Sequence, residues 1–294
     1  MTDTRLHIVH ATVYDYDVPV SLSQHLLHLR PRTFQFQHCD THNTLIDPAP
    51  VESSDSQDYF GNPSRYVAIT APHSQLVVTA ESTVRLLPRP GKELFAASLP
   101  WEQVRDGLLS SGDPTRLEPL KYLFSSPHVT VSDELAAYAR HSFRPGESVL
   151  AGSFDLMGRI HADFRFDPRA TSISTPLTEL LALRRGVCQD FAHLMIGCLR
   201  TLGIPCRYVS GYILTEPAPG QPRLAGADAS HAWTSVYCPS IGWVDFDPTN
   251  DCMVNLEHVS LGWGRDFSDV TPLRGVVLGG GAHTPAVSVT VTPL

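Results

Sequence analysis

The stretch Gly186-Val187-Cys188-Gln189-Asp190-Phe191-Ala192-His193-Leu194, read on to Tyr212, decides the fold. Apolar residues after the cysteine recur at Phe191, Leu194, Met195, Cys198, Leu199 and Leu202, which is helical spacing. Gly203 and Pro205 are stop signals, and Gly186 marks a break before the helix, so Cys188 falls in or next to its first turn. The run Arg207-Tyr208-Val209-Ser210-Gly211-Tyr212-Ile213 then reads as a buried strand. A cysteine at a helix N-terminus sees free backbone N–H groups and the positive end of the dipole, and both favour thiolate over thiol. The same N–H groups can hold a developing oxyanion.

The dipole alone is too weak for that task. It contributes about 0.3–1 kcal/mol, whereas one pKa unit is about 1.36 kcal/mol. Bringing a thiol below neutrality therefore needs a cationic partner such as an imidazolium. Ser230-His231-Ala232-Trp233-Thr234-Ser235-Val236-Tyr237 is an alternating strand that supplies one, with His231 on the face of Trp233, Ser235 and Tyr237. Gly242-Trp243-Val244-Asp245-Phe246-Asp247-Pro248-Thr249-Asn250 can add a carboxylate to orient the ring. Asp245 and Asp247 share a strand face, and alternation does not choose between them. Asp247 precedes Pro248, which biases it to extended backbone, whereas Asp245 is placed to pair with a surface cation.

Competing readings of these residues are weaker. A lone cysteine is usually a packed core residue, and Cys198 and Cys206 read that way. A zinc site built from Cys188, His193, Cys198, Cys206 and His231 lacks the tight C-x2-C pairs of structural zinc, and helical geometry turns Cys188 and Cys198 to different sides. No acidic D-x-D-x-D-G loop suggests calcium. The expectation is no metal and no organic cofactor. His7 and His10, three apart in a probable strand, point to opposite faces and read as scattered β-domain histidines. Asp190 reads as a helix-start charge or loop anchor, and His193 as structural.

Composition narrows the function classes. Across 294 residues the hydrophobic share is 42% and the charged share 18%, ordinary for a globular chain. A formal net charge of −8 with no Lys/Arg cluster argues against nucleic acid as a partner. No apolar run reaches the roughly 18 residues of a membrane helix, and no signal-peptide pattern opens the chain. The expected compartment is the cytoplasm, with the six cysteines reduced.

Taken in order, residues 1–90 give β-rich runs at Leu6–Tyr16, Arg30–Asn43, Tyr59–Ala71 and Gln75–Leu87, separated by Pro/Gly/Asn breakers. Helices are expected over Trp101–Ser111, Leu117–Phe124, Asp133–Ser142 (capped by Ser132), Ser153–Phe166 and Leu177–Arg184. Strands return from Arg207, interrupted by the Pro/Gly-rich loop Glu216–Pro222, which either borders the substrate cleft or is a plain surface loop. Gly279-Gly280-Gly281 reads as a hinge before a closing strand over Ala286–Val291. The fold class is α+β: an antiparallel β domain over residues 1–95, then a catalytic domain over 96–294 (core about 150–255) whose nucleophile helix packs on an antiparallel sheet, with C-terminal strands returning to the sheet.

Four blocks in order resemble the bacterial transglutaminase-like proteins of the papain-like cysteine acyl-transfer superfamily. They are Gly-Val-Cys-Gln-Asp-Phe-Ala-His at 186–193, Gly-Ile-Pro-Cys-Arg-Tyr-Val-Ser-Gly-Tyr at 203–212, Asp-Ala-Ser-His-Ala-Trp at 228–233 and Gly-Trp-Val-Asp-Phe-Asp-Pro-Thr-Asn at 242–250. Tyr14-Asp15-Tyr16 with Leu29-Arg30-Pro31-Arg32 is similar to the family's N-terminal domain, and residues 264–272 to its C-terminal block, so the resemblance covers nearly the whole chain. It implies Cys188 as nucleophile, His231 as base and Asp247, through its Asp-Pro-Thr match, as orienter. The implied reaction is hydrolysis or acyl transfer on a peptide or protein amide through a thioester, as in a cysteine protease, amidase or acyltransferase. A non-catalytic peptide-binding scaffold on the same fold is the alternative.

Overall fold

A computed structural model describes residues 3–109, 117–215 and 230–294. The N-terminal half is built on one long strand, β1 (Thr4–Leu27), whose Leu6, Ile8, His10 and Thr12 alternate inward. The sequence suggests a stop near Tyr16, but the strand bends there and continues. Asp17, Val18 and Pro19 are exposed, and the registers slip at this point. Pro19 has no N–H to give a ladder, so the kink falls where it costs least.

Around β1 lie β2 (Gln37–Asp47), β3 (Glu52–Gln57), β4 (Pro63–Ile69) and β5 (His73–Leu86), in the order β2-β5-β1-β4-β3. β3 carries Glu-Ser-Ser-Asp-Ser-Gln, exposed throughout, so no apolar period announces it. Arg30–Phe36 does not belong to β2, contrary to the β-rich reading of that run. It docks on the second sheet instead: the Arg32 N–H donates to the Ser260 carbonyl at 3.1 Å, and the Arg32 guanidinium lies 3.6 Å from the Trp263 ring centre.

The chain's end completes the same sheet. β13 (Leu273–Gly280) pairs with β1 over Val18–Leu27, and β14 (Pro285–Pro293) over Leu6–Tyr14, both antiparallel. They follow β1 as one interrupted strand. Gly279, Gly280 and Gly281 take φ of 101°, 86° and 62°, so the glycine run forms a left-handed bend opposite the kink of β1.

Between these parts lie the helices α1 (Trp101–Leu109), α2 (Leu117–Leu120), α3 (Asp133–Arg140), α4 (Val149–Asp163), α5 (Leu177–Leu183) and α6 (Cys188–Thr201). Ser132 caps α3, its hydroxyl accepting from Leu135 N at 3.4 Å. α4 begins before the expected Ser153 because Ser148 caps it, accepting from Ala151 N at 3.3 Å. It ends before Arg165–Phe166, which form β6 and pair in parallel with β7 (Arg185–Gly186).

The second large sheet contains β8 (Cys206–Ile213), β9 (Ser230–Cys238), β10 (Gly242–Asp247), β11 (Cys252–Met253) and β12 (His258–Gly264), in the order β11-β10-β9-β8-β12. α6 lies against one face. Ala232, Val236 and Cys238 pack into the same core as its Leu194, Met195 and Cys198, and the Thr234 hydroxyl donates to the Ala192 carbonyl at 3.2 Å. The two sheets share a further core, in which Leu6, Ile8 and Val291 meet Tyr212, Val259 and Leu261. The expected loop Glu216–Pro222 lies outside the described residues.

Candidate active site

Cys188 opens α6, as the break at Gly186 requires, and it is partly accessible. The turn before it is tight. A Cβ at Gly186 would lie 2.7 Å from Asp190 Oδ2 and 2.9 Å from Leu180 Cδ1, so any larger residue would force these side chains to shift. The Asp190 carboxylate accepts from the Val187 N–H at 2.8 Å and from the Thr171 hydroxyl at 2.6 Å, anchoring the loop to the helix start. Val187 at the N-cap has no side-chain acceptor to offer, so it leaves the first-turn N–H groups uncapped beside the sulfur.

His231 and Asp247 come to this point from the sheet. His231 is buried near the start of β9, its ring hydrogen-bonded to Asp247 and close enough to Cys188 to feel its charge. Its Nε2 lies 2.7 Å from Asp247 Oδ2, which leaves Nδ1 for the sulfur. Burial by itself would strip the ring of its proton. The hydrogen bond to Asp247 and the charges of Asp247 and Cys188 outweigh burial and push its pKa up to about 10. Asp247 is fully buried, which opposes ionisation, yet its imidazole partners hold its carboxyl far below the usual carboxylate range.

Asp245, on the same strand face, is engaged elsewhere. Its Oδ2 accepts from Arg89 Nη1 at 2.6 Å and from Trp233 Nε1 at 3.4 Å. The cation it pairs with is not the surface group expected from the sequence: Arg89 is a buried side chain of the connector after β5, 11% exposed, and the pair ties that connector to β10. His193 is engaged elsewhere, its Nε2 accepting the Phe267 N–H at 3.2 Å and its ring stacked with His128. Burial lowers its pKa to about 3.

Two further residues hold Asp247. Asn250 Nδ2 donates to Asp247 Oδ2 at 2.6 Å, and His258 Nε2 lies 3.1 Å from the same oxygen. The backbone N–H groups of Thr249 and Asn250 donate to Oδ1 at 2.9 and 3.3 Å. Asn250 could have been suspected as part of an Asx-type turn three residues after Asp247. His258 could not, since no motif in the mixed stretch Asn255-Leu256-Glu257-His258-Val259-Ser260 ties it to Asp247. Among the described residues, the one group of three or more His, Cys, Asp or Glu with converging ligand atoms is His231, Asp247 and His258, within 4.8 Å of one another. None of the cysteines of the zinc alternative joins it.

An α-helix with a cysteine at its N-terminus, laid on an antiparallel sheet that presents histidine and aspartate, defines the transglutaminase-like class. Similarity to known proteins places the chain further. Residues 6–85 match the bacterial transglutaminase-like N-terminal region, and residues 137–248, which include Cys188, His231 and Asp247, match the transglutaminase-like superfamily. An uncharacterized protein of Mycobacterium tuberculosis is 40% identical over 98% of this chain and 93% of its own length. A protein-glutamine gamma-glutamyltransferase of Pseudomonas aeruginosa is 35% identical over 32% of this chain and 15% of its own. The crystal structure of a candidate cysteine protease from Cytophaga hutchinsonii superposes with a TM-score of 0.78 at 20% identity, covering 100% of this chain and 92% of that one. The chain belongs to the bacterial transglutaminase-like family. No helix among the described residues is long and apolar enough to cross a membrane.

Proposed function

We propose that the protein is a cysteine-dependent enzyme that cleaves or transfers the acyl group of a peptide-like amide, with Cys188 as nucleophile, His231 as acid and base, and Asp247 as orienter. The observation that carries this reading is His231 held between Cys188 and Asp247, with Nε2 committed to the carboxylate at 2.7 Å. A ring that keeps its proton up to about pH 10 beside a sulfur favours a thiolate–imidazolium pair.

The steps follow from that pair. The Cys188 thiolate attacks the amide carbonyl, and the tetrahedral oxyanion is held by the N–H groups of the first turn of α6. As the C–N bond breaks, Nδ1–H of His231 protonates the departing amine, leaving a thioester on Cys188 and a neutral imidazole. Water or a second amine then attacks the thioester, His231 takes the proton, and the thiolate is regenerated. The substrate class is a peptide or protein amide, and the proposed compartment is the cytoplasm, where a free thiol is maintained.

The test is to trap the intermediate. The protein is incubated with a library of glutamine-containing peptides and quenched in acid, and its Cys188 peptide is weighed by mass spectrometry. An acyl adduct on Cys188 that is discharged by added hydroxylamine is expected. Adducts absent from Cys188 while turnover is measured would defeat the scheme. Addition of a primary amine separates the two acceptors: transfer to it marks a transglutaminase, and release of free acid a hydrolase.

A further inference from the structure

We propose that His258 is a positioning residue for the same reaction, the second imidazole on the Asp247 carboxylate, which keeps that carboxylate ionised and aimed while His231 gives up and regains its proton. This rests on the Cys188–His231–Asp247 reading and adds a member that neither the sequence motifs nor the 137–248 family match contains.

Asp247 is an isolated buried charge. It is 0% exposed, and among the described residues no Lys or Arg nitrogen lies within 4.0 Å of it; its ion-pair partners are His231 and His258. A buried carboxylate without guanidinium or ammonium stays charged only through hydrogen bonds. Its Oδ2 takes three side-chain donors, from His231, His258 and Asn250. One of the three, His231, changes state in every cycle. Once it has protonated the leaving amine, it is neutral and Asp247 loses its cation.

His258 is built to remain. It is 0% exposed, and its Nε2 must carry a proton, because its partner there is the carboxylate. Its Nδ1 accepts the Asn255 backbone N–H at 3.5 Å, and Trp233 packs edge-on against the ring with centroids 5.3 Å apart. The same Trp233 lies 6.1 Å from the His231 ring. Cys252 faces Asp247 across the β10–β11 register, and burial with the charges of Asp247, Glu257 and Asp251 pushes its thiol up to about 12, leaving it neutral. His258 therefore supplies a donor to Oδ2 at both stages, and it fixes the rotation of the carboxylate toward His231.

The experiment measures the rate of iodoacetamide alkylation of Cys188 against pH, by peptide mass spectrometry, in the wild type and in His258→Phe, His258→Gln and His258→Asn. Loss of the donor weakens the carboxylate, hence the imidazolium, hence the thiolate, so the acid limb of the profile should move upward by about one pH unit in His258→Phe, a roughly tenfold slower reaction on that limb. Gln places an amide N–H where Nε2 stands and should restore the limb to within about 0.3 unit. Asn is too short and should behave like Phe; this Gln–Asn pair decides the matter even if the Phe variant does not fold. A purely structural role would lower the melting temperature and leave the limb in place. Superimposable limbs for wild type, Gln and Asn would overturn the proposal. If the wild type itself shows no preferred alkylation of Cys188, the failure lies instead with the nucleophile assignment.

Discussion

His231 Nε2 and Asp247 Oδ2 lie 2.7 Å apart at the adjacent ends of β9 and β10, in a region closed to solvent. Every claim about chemistry in this fold depends on that contact. It commits one ring nitrogen to the carboxylate and turns the other toward Cys188.

Asp247→Asn should reduce acyl transfer by about 10²–10⁴-fold, because the amide no longer stabilises the imidazolium. It should also destabilise the fold, since the carboxylate accepts five hydrogen bonds and an amide must turn an N–H toward some of those donors. The stability difference carries a pH signature. The His231 contribution is full below its ordinary 6.5 and is lost as pH rises through about 10. The Asp247 contribution is present above the usual 3.8 and fades as the solution becomes strongly acidic. Wild type and variant should therefore differ most in melting temperature between about pH 4 and 6.5, and the difference should narrow as pH rises through about 10. A gap that widened from pH 6 to pH 10 would contradict the assignment.

Asp245→Asn should separate stability from chemistry. It leaves the buried guanidinium of Arg89 without its ion-pair partner at 2.6 Å, a loss of about 3–5 kcal/mol by the general cost of breaking a buried pair. Turnover per folded molecule should stay near normal. Adding Arg89→Met should recover much of the stability, which a double-mutant cycle of unfolding midpoints will measure.

Gly186→Ala should slow alkylation of Cys188 by at least tenfold without unfolding the protein. The new Cβ meets Asp190 Oδ2 at 2.7 Å, so the carboxylate must release the Val187 N–H, and the start of α6 shifts. Alkylation at the wild-type rate would show that the tight turn does not position the sulfur.

Much of this site is legible in the order of the residues alone. The helix from Cys188 follows from the spacing of Phe191, Leu194, Met195 and Cys198, because α6 buries an unbroken run from Asp190 to Arg200. The strand of His231 follows from its alternation, which matches the division between the α6 core and the Trp233 face. What alternation does not decide is Asp245 against Asp247, since the answer lies in partners 156 residues away in one case and 16 in the other. His258 is hidden for the same reason: it reaches Asp247 only through the path of the chain from β11 to β12. The kinked continuation of β1 and the all-polar β3 are equally silent, because edge and bend positions carry no apolar period.

The most direct measurement is the site of covalent labelling. The native protein, with six free cysteines, is treated at pH 7 with a limiting amount of iodoacetamide, and each cysteine peptide is quantified. Cys198 and Cys206 are buried, which pushes Cys206 up to about 12 and Cys198 higher still, and Cys252 also stands near 12, so none of these competes. Modification should fall on Cys188 at least tenfold faster than on any other thiol, and it should abolish acyl transfer, as should Cys188→Ala, whose melting temperature stays close to that of the wild type. Equal labelling of Cys39 and Cys188, or full turnover in Cys188→Ala, would contradict the account at its centre.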